Sequence, residues 1–457
     1  MIRPRVEELP WREPADYFAA FAAERTAALL EGGDLPVPEN RYAYLCVWPY
    51  RTLRANATPA EGGANPFDLL AETLAVGSLD PWPELPPFQG GIVGFLAYEC
   101  GTWLERLPTP KPVSPQLPGL GAAAYDLVVA FDRQQQRCWI CASGLPETDP
   151  QRRDARARER LAALRSHLLA STSDSRPGVA QPPVDWQPDL TQSEFEDRVR
   201  RVLAHIRAGD IFQANFTTGF RANWPTGRSP WGIYRDLQQR SPEPFSAYLA
   251  ADGHWLLSVS PERFLHLDAT GRVETRPIKG TRPRHPDPVQ DAALAVDLLA
   301  SEKDRAENVM IVDLLRNDLG RVCGIGSIRV PALFLLESFA HVHHLTSQVV
   351  GQLRPGLGPV DLLRATFPGG SITGAPKIRS MEIIRDLEVT ARGAYCGSLF
   401  WIGFDGAMDA SILIRTLQVG QGQVRAQAGC GIVADSDPAA EYAEMLTKVN
   451  PLLQVLG

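Results

Sequence analysis

Apolar and polar positions follow two rhythms along the chain, one with the 3.6-residue period of helices and one with the twofold period of strands. The clearest helical stretch begins at Thr191 and Glu194, which have the spacing of a capping box, and it ends at Gly209. Its apolar residues recur every three or four positions, at Phe195, Val199, Val202, Leu203 and Ile206. We predict further helices over residues 14–30, 66–75, 151–169 and 289–317, and strands over residues 41–51, 125–131, 137–142, 210–216 and 255–260.

One segment interrupts this pattern. Residues 171–188 are rich in Ser, Pro and Gly and carry few apolar side chains, which predicts a flexible linker over residues 171–189. The linker divides an N-terminal region, residues 1–170, from a C-terminal region, residues 190–457. The pattern leaves open whether these two regions are separate domains or layers of one.

The composition narrows the class of protein. A chain of 457 residues with 44% hydrophobic residues has enough apolar side chains for a substantial core. Its net charge of −7 argues against nucleic-acid binding, because no excess of Lys and Arg is available to neutralise phosphates. No apolar run of about 18 residues and no apolar leader near Met1 occur, so we expect no membrane span and a cytoplasmic location. Seven cysteines, an odd number, do not indicate a disulfide framework.

Three motifs resemble known sites, but their context argues against each. Cys138 and Cys141 form a CxxC pair, yet residues three apart on a strand point to opposite faces, so we expect one in the core and one at the surface. The glycine-rich residues 369–377 lack the Gly-Lys-Ser/Thr ending of a P-loop. Too little chain follows Gly429 to Gly431 for a dinucleotide-binding unit, although their backbone amides can still hold a carboxylate.

Lys279 is the strongest candidate for a nucleophile. It lies between Ile278 and Gly280, and the nearby cations Arg276 and Arg282 are expected to favour its neutral, reactive form. The competing interpretation is an ordinary surface lysine in a tight turn. Glu262 follows a predicted strand directly and is a candidate acid, against the alternative of a solvated or salt-bridged residue.

Two pairs of carboxylates are candidates for a metal site. Asp304 and Glu307 lie three residues apart on one predicted helix, and Glu441 and Glu444 repeat that spacing near the end of the chain. Mg²⁺ takes hard oxygen ligands, a few from protein and the rest from water and substrate. Each pair alone is more simply explained as a solvated helix face, so the site requires a fold that brings the pairs together.

Several motifs in a fixed order resemble those of the chorismate-utilising enzymes, the family of anthranilate synthase component I and aminodeoxychorismate synthase component I. They are Pro-Ile-Lys-Gly-Thr at 277–281, the run at 304–318, His-Leu-Thr-Ser at 344–347, Gly-Ala-Pro-Lys at 374–377, Ile-Arg-Thr at 414–416 and Gly-Cys-Gly-Ile-Val at 429–433. The likeness is close over residues 190–457 and looser over residues 1–170. It implies an α+β fold in which two large, mostly antiparallel sheets pack as a sandwich with flanking helices, and both halves of the chain contribute.

The resemblance also implies a role for each matching residue. Glu307 and Glu444 would bind Mg²⁺ with support from Asp304 and Glu441, and the ion would bind the ring carboxylate of chorismate. Glu262 would be the general acid that protonates the departing 4-hydroxyl, and His344 would lie near the reacting carbons. The remaining residues would bind the substrate's ring and two carboxylates: Gly280, Thr281, Tyr395, Arg415, Gly429, Cys430, Gly431 and Lys448.

Two positions distinguish branches of the family: Gln213 indicates the enzymes that use ammonia, and among these Lys279 indicates the branch that makes 4-amino-4-deoxychorismate, a precursor of p-aminobenzoate and folate. Isochorismate and salicylate synthases have a water-activating lysine where Gln213 stands, so Gln213 favours ammonia as the nucleophile. Anthranilate synthase, the main alternative, usually has alanine where Lys279 stands. No glutaminase signature occurs in the chain, so we expect ammonia from a separate glutamine amidotransferase subunit and a rate that rises with pH toward about 9. A non-catalytic effector-binding paralogue is the alternative of another class, because some members hold tryptophan in a pocket near the position of Pro244.

Overall fold

The computed structural model describes residues 1–33, 38–170, 183–339 and 342–457. Within these ranges the helices are α1 (Pro14–Phe18), α2 (Pro66–Leu74), α3 (Pro150–Ala170), α4 (Gln192–Arg207), α5 (Pro230–Arg240), α6 (Pro288–Ala300), α7 (Glu302–Gly320), α8 (Pro359–Thr366), α9 (Lys377–Leu387) and α10 (Pro438–Gln454). None of them combines the length and the apolar character needed to cross a bilayer.

The strands of the described ranges all pair antiparallel. They are β1 (Arg5–Leu9), β2 (Thr26–Glu31), β3 (Tyr42–Val47), β4 (Arg51–Ala55), β5 (Gly91–Leu96), β6 (Leu120–Tyr125), β7 (Leu127–Asp132), β8 (Arg137–Ala142), β9 (Gln187–Pro188), β10 (Gln213–Asn223), β11 (Phe245–Ala251), β12 (His254–Ser260), β13 (Arg263–Leu267), β14 (Arg272–Thr275), β15 (Ile278–Pro283), β16 (Arg329–Ser338), β17 (Val342–Gln352), β18 (Gly374–Ala375), β19 (Ser398–Gly403), β20 (Met408–Ile412), β21 (Thr416–Gly420) and β22 (Gln423–Ile432).

Two large sheets organise these strands, which confirms the predicted fold class. The first has twelve strands in the order β1-β8-β7-β3-β2-β11-β12-β21-β22-β10-β18, with β9 on β10. The second has ten strands in the order β15-β17-β14-β13-β20-β19-β5-β6-β4, with β16 on β17. Each sheet contains strands from both sides of residue 170, as the family resemblance implies. The proposed division into two regions stays a prediction, and residues 171–182 of the linker lie outside the described residues.

The apolar side chains form three layers of core. One layer lies between the sheets, where Tyr44 and Val128 of the first sheet meet Phe95 and Trp401 of the second. A second layer packs α3, α4 and α10 on the outer face of the first sheet, and a third packs α2, α7 and α8 on the outer face of the second sheet. Burial on both faces explains why strands such as β7 and β8 are apolar almost throughout.

The same two-sided burial corrects the prediction for the CxxC pair. Cys138 and Cys141 point to opposite faces of β8, but both are buried because helices cover one face and the second sheet covers the other. Burial raises the pKa of both thiols, to about 12 in each case. A thiol with so high a pKa is a poor nucleophile at neutral pH, and the pair is part of the packing.

Two helix predictions were wrong. Residues 14–30 form only the short α1 and a 3-10 turn before the chain continues as β2, since alanine-rich residues 26–31 pair with β3 and β11 instead. Residues 289–317 are two helices rather than one. The chain breaks at Ser301, whose side chain accepts a hydrogen bond from the backbone amide of Asp304 and so caps α7.

Candidate active site

A cavity of about 640 Å³ lies where the two sheets meet α7 and α10. Its walls come from β10, the turn between β12 and β13, β15, β17, β22, the start of α7 and the middle of α10. Fourteen of the fifteen residues singled out in the sequence line this one cavity, and the exception is Cys430. The fold therefore brings together motifs that are spread over nearly 200 positions of the chain.

Lys279 projects from β15 into the cavity and is nearly buried, with 11% of its side chain exposed. Its Nζ lies 2.7 Å from Oε1 of Glu307, which is on the second turn of α7. An amine held this close to a carboxylate oxygen is not free to approach a carbon atom of a substrate. The pair must therefore open before Lys279 can act as a nucleophile.

The cations expected to favour a neutral Lys279 are themselves engaged. Arg276 forms ion pairs with Glu39 and Glu337, and Arg282 forms ion pairs with Asp297 and Asp304. Carboxylates from other elements therefore compensate the positive charge of each guanidinium group. The expectation that Arg276 and Arg282 favour the neutral form of Lys279 stays a prediction.

Glu262 lies in the turn between β12 and β13 and is 6% exposed. Burial raises its pKa from 4.5 to about 7, although hydrogen bonds from Ser371 and the backbone amide of Ile278 and the charge of Lys279 each oppose the rise. A carboxyl group with this pKa is about half protonated at neutral pH. It can therefore donate a proton, which an ordinary glutamate at that pH cannot do.

His344 projects from β17 opposite Thr281 of β15. Burial lowers the pKa of its imidazole to about 3, helped by the positive charge of Arg415, so the ring is neutral at physiological pH. Its Nδ1 shares a hydrogen bond of 2.8 Å with the Thr281 hydroxyl. Its Nε2 is buried and has no partner among the described residues, which leaves one ring nitrogen available to a bound molecule.

The four predicted metal ligands all reach the cavity, Asp304 and Glu307 from α7 and Glu441 and Glu444 from α10. Carboxylate oxygens of Glu441 and Glu444 lie within 4.8 Å of each other and of the Cys430 thiol. Burial raises the pKa of Glu441. Burial also acts to raise the pKa of Glu444, but Lys448, Lys303 and Cys430 together lower it below its usual value. Among the described residues, Asp304 and Glu307 do not belong to this close group, so the two pairs share a cavity without forming one metal-sized cluster. Carboxylate oxygens are the ligands that a hard cation such as Mg²⁺ prefers.

Groups that suit a substrate carboxylate line the remaining wall. Arg415 adopts a left-handed backbone conformation, with φ of 48°, that turns its side chain toward the cavity, where it forms an ion pair with Glu243. Lys448 lies 2.6 Å from Glu444 and donates to the carbonyl of Gly429 at 3.2 Å. Arg415 keeps further N–H groups for a ligand, because Glu243 accepts from only one of its nitrogens. The three N–H groups of Lys448 already have Glu444, the Gly429 carbonyl and the Cys430 sulfur, at 4.0 Å, as partners, so a ligand would have to replace one of them.

Cys430 differs from its neighbours on β22. Side chains alternate along a strand, so its thiol points away from the cavity and donates to the backbone carbonyl of Glu441 at 3.3 Å. Its side chain belongs to the buried core beneath the site. The role predicted for this segment, binding of a substrate carboxylate by the backbone amides of residues 429–431, does not use the thiol and stays a prediction.

Two glycines allow the walls to approach closely. Gly280 has φ of 93°, and a Cβ there would lie 2.9 Å from Cδ1 of Leu298 and 3.0 Å from Cβ of Asp304. A Cβ on Gly431 would lie 2.7 Å from the same Glu307 Oε1 that binds Lys279. Larger residues at either position would move the carboxylates of α7.

Sequence reasoning missed several polar residues of the cavity wall: Asn215, Arg240, Glu243, Lys303, Ser371 and Gln427. Asn215 could have been found, because it lies two residues after Gln213 on β10 and so shares its face. Lys303 directly precedes Asp304 at the start of α7. Glu243 and Arg240 carry no such signal, since only the fold places the end of α5 beside Arg415.

Gln213 and Lys377 have partners that their motifs did not reveal. The Gln213 side chain lies behind Glu307 and donates to its Oε1 at 2.6 Å. Lys377, of the Gly-Ala-Pro-Lys motif, is buried away from the cavity, where its amine pairs with Asp318 at 2.6 Å and donates to the carbonyls of Thr366 and Pro368. These hydrogen bonds of Lys377 hold the start of α9 against the end of α8.

A second cavity, of about 260 Å³, lies between the sheets and is separate from the first. Its wall combines aromatic rings with charged groups: Tyr42, Tyr44, Phe245 and Trp401, together with Glu31, Glu39, Arg263 and Asp409. Pro244 also lines it, immediately after the Glu243 that pairs with Arg415. This is the region near Pro244 where the family resemblance places an effector pocket.

Comparisons with known proteins agree with this geometry. The model of the chorismate binding enzyme family matches residues 35–454. Aminodeoxychorismate synthase component 1 of Klebsiella aerogenes is 40% identical over 468 residues and covers all of both chains. Anthranilate synthase component 1 of Streptomyces coelicolor is 44% identical over 400 residues, which are 86% of this chain and 77% of that protein.

A solved structure supports the fold independently. The crystal structure of anthranilate synthase component I from Streptococcus pneumoniae superposes with a TM-score of 0.79 at 30% identity. The match covers 91% of this chain and 93% of the other. The two-sheet architecture is therefore shared along almost the whole chain.

Proposed function

The chain belongs to the chorismate binding enzyme family, and we propose that it is component 1 of an aminodeoxychorismate synthase, which converts chorismate and ammonia into 4-amino-4-deoxychorismate. One observation carries the proposal: a single cavity holds the amine of Lys279 and the carboxyl group of Glu262, whose pKa is about 7. Full-length similarity to a protein of that name supports the same assignment. The product would serve p-aminobenzoate and folate synthesis.

Glu262 supplies the proton that the reaction needs. The 4-hydroxyl of chorismate leaves poorly as hydroxide, so protonation by a nearby acid lowers the barrier. Burial keeps Glu262 protonated to about pH 7, and no ion pair holds it charged within the described residues. It donates to the leaving oxygen, which departs as water.

Lys279 divides the amination into two steps. Its neutral amine adds at C2, the ring double bond shifts, and the bond from C4 to the hydroxyl oxygen breaks as Glu262 protonates that oxygen. Ammonia then adds at C4, the double bond shifts back, and the bond from C2 to the lysine nitrogen breaks. The neutral His344 lies beside Thr281 with one free ring nitrogen, and it holds substrate without adding charge.

The charge of the cavity favours a metal ion as a cofactor. Six carboxyl groups (Glu243, Glu262, Asp304, Glu307, Glu441, Glu444) and six cations (Arg240, Lys279, Arg282, Lys303, Arg415, Lys448) line it. With Glu262 protonated as the acid, the formal net charge of the wall is only +1 against a dianionic substrate. Glu307 and Glu444 would hold Mg²⁺, with Asp304 and Glu441 in support. When bound, Mg²⁺ would neutralise carboxylate charge and hold the substrate's ring carboxylate.

Ammonia would come from a second chain. A separate glutamine amidotransferase subunit, of the kind that the name component 1 implies for the relatives, would generate it in a cytoplasmic complex. Arg415, Lys448, Tyr395 and the amides of Gly429 and Gly431 would bind the two carboxylates of chorismate while ammonia enters.

Anthranilate synthase is the second candidate. The Streptomyces relative has the higher identity, but over a smaller part of both chains, whereas the relative of the proposed function aligns from end to end. Lys279 favours the proposed function, because anthranilate synthase usually has alanine at that position and needs no nucleophilic lysine.

The test is one assay on the purified chain, with chorismate, Mg²⁺ and ammonium, and with products identified by mass and absorbance. We expect 4-amino-4-deoxychorismate. Anthranilate as the main product would establish the second candidate instead. No turnover of chorismate by a folded chain would overturn the enzyme assignment in favour of an effector-binding paralogue.

A further inference from the structure

Every carboxylate assigned to the metal also forms an ion pair with a side chain of this protein. The distances are 2.7 Å for Lys279–Glu307, 2.6 Å for Lys448–Glu444, 3.1 Å for Arg282–Asp304 and 3.9 Å for Lys303–Glu441. The cavity is therefore already neutralised by its own cations. A metal ion that enters must compete with them.

The competition is strictest at Glu307. Its Oε1 accepts hydrogen bonds from both Gln213 and Lys279, at 2.6 and 2.7 Å, and lies against Gly431. Mg²⁺ binds carboxylate oxygen at about 2.0–2.1 Å and requires near-octahedral geometry. An ammonium group on that oxygen would lie within about 4 Å of the metal, where like charges repel strongly.

Once it is displaced from Glu307, Lys279 has one unpaired carboxyl group of the cavity wall to approach. Of the six carboxyl groups that line the cavity, five form an ion pair with a cation, and Glu262 forms none with any described residue. Glu262 already feels the charge of Lys279, which is one of the influences on its pKa. Release from Glu307 would thus move the amine toward the acid that serves the same reaction.

We propose that Lys279 and the divalent cation exclude each other from Oε1 of Glu307, so that metal binding releases Lys279 into the cavity. Without the metal, the enzyme holds its nucleophile in an ion pair. Metal binding would therefore release the Lys279 side chain in addition to holding the substrate. This inference rests on the metal assignment of the proposed function.

The first test measures the reactivity of Lys279 without turnover. The full chain is treated briefly with an amine-acylating reagent, with and without Mg²⁺, and the acylation of each lysine is quantified by peptide mass spectrometry. Mg²⁺ should raise the acylation of Lys279 several-fold, while Lys111, which donates to two backbone carbonyls far from the site, serves as internal reference. In Glu307→Gln, Lys279 should react quickly with or without Mg²⁺.

The second test measures metal affinity, with Mn²⁺ as the probe and free Mn²⁺ read by electron paramagnetic resonance. Lys279→Met removes the competing charge from Oε1 and should tighten Mn²⁺ binding by about tenfold. Lys279→Arg keeps a cation at the same position and is the matched control, with affinity close to wild type.

The outcomes separate the two proposals. Mn²⁺ that binds without changing Lys279 acylation, or that binds Lys279→Met no more tightly than wild type, overturns the exclusion while the proposed function stands. No Mn²⁺ binding to any variant overturns both the exclusion and the metal assignment. The product assay with chorismate and ammonium tests the proposed function independently of either result.

Discussion

Glu262→Gln should stabilise the protein above neutral pH while it removes the catalytic acid. The folded chain keeps the Glu262 proton to about pH 7, whereas an unfolded chain loses it near pH 4.5. Stability therefore falls as pH rises between these values, because the unfolded chain no longer binds a proton that the folded chain still holds. A shift of about 2.5 pKa units, at about 1.4 kcal/mol per unit, corresponds to about 3 kcal/mol at pH 8.

Glutamine carries no charge at any pH, so the substitution removes this loss of folding stability at high pH. For a chain of 457 residues, an unfolding entropy of about 2 cal/mol/K per residue converts about 3 kcal/mol into a rise in Tm of about 3 °C. At pH 5 the wild-type side chain is protonated in the folded state and about one quarter protonated in the unfolded one, which corresponds to about 0.8 kcal/mol, so the rise should be under about 1 °C. Turnover should fall by about 10²- to 10⁴-fold, since the amide cannot protonate the leaving hydroxyl.

Differential scanning calorimetry at pH 5 and pH 8 measures the effect. Glu194→Gln is the control, because Glu194 is exposed and hydrogen bonds to Thr191 lower its pKa, so its loss should give no gain at pH 8. The reasoning is refuted if Glu262→Gln lowers Tm at pH 8. Equal gains at both pH values would also refute it, because the stabilisation would then come from packing and not from the proton.

Four further predictions follow from the same site. Glu307→Gln or Glu444→Gln should lose most turnover with the fold intact, measured by circular dichroism and product formation, and full activity in excess EDTA would contradict the metal assignment. The isolated chain should use ammonium but not glutamine, and turnover with glutamine would contradict the need for a separate glutaminase. At fixed total ammonium, its rate should level off above about pH 7, because deprotonation of Glu262 offsets the rise in free ammonia expected up to about pH 9. When ammonia is withheld, intact-protein mass spectrometry should detect an adduct of Lys279 with the chorismate-derived ring, and Lys279→Ala should abolish that adduct. A wild-type protein that never gains mass, together with normal turnover by Lys279→Arg, would show that Lys279 is not the nucleophile. Gly280→Ala should cost about 1–3 kcal/mol and most activity, whereas Gly406→Ala, at a similar φ of 90° with open space around its Cβ, should keep activity; equal activity in both variants would contradict the contact argument.

Ordered motifs in the sequence were sufficient to predict which residues would share one cavity. Lys279, Glu262, His344 and the four acidic residues all line it, whereas their roles stay predictions. Their spacing could not show this, since α7 and α10 are separated by more than a hundred positions and meet only through the sheets.

What the sequence could not supply is the environment of each group. The pKa of Glu262 depends on burial by distant strands, and the partner of Lys279 is 28 positions away on a helix whose start was also misplaced. Arg276 and Arg282 are adjacent in sequence to Lys279, but their charges are neutralised by residues from other elements. Proximity along the chain was therefore a poor guide to electrostatic proximity.

The interleaving of the two sheets affects how the protein is made. Strand β2 is hydrogen-bonded to β11, with Glu31 opposite Ser246. One edge of β2 therefore stays unpaired until a strand more than 200 positions further along the chain has been synthesised. At about 5–20 residues per second, a ribosome needs about 10–40 s to supply that partner. During this time the nascent chain exposes an apolar strand with unpaired backbone groups, which is an aggregation hazard. Folding of the N-terminal third thus depends on synthesis of the chain beyond Ala251, and expression at lower temperature or with more chaperone should raise the yield of folded enzyme without any change in its sequence.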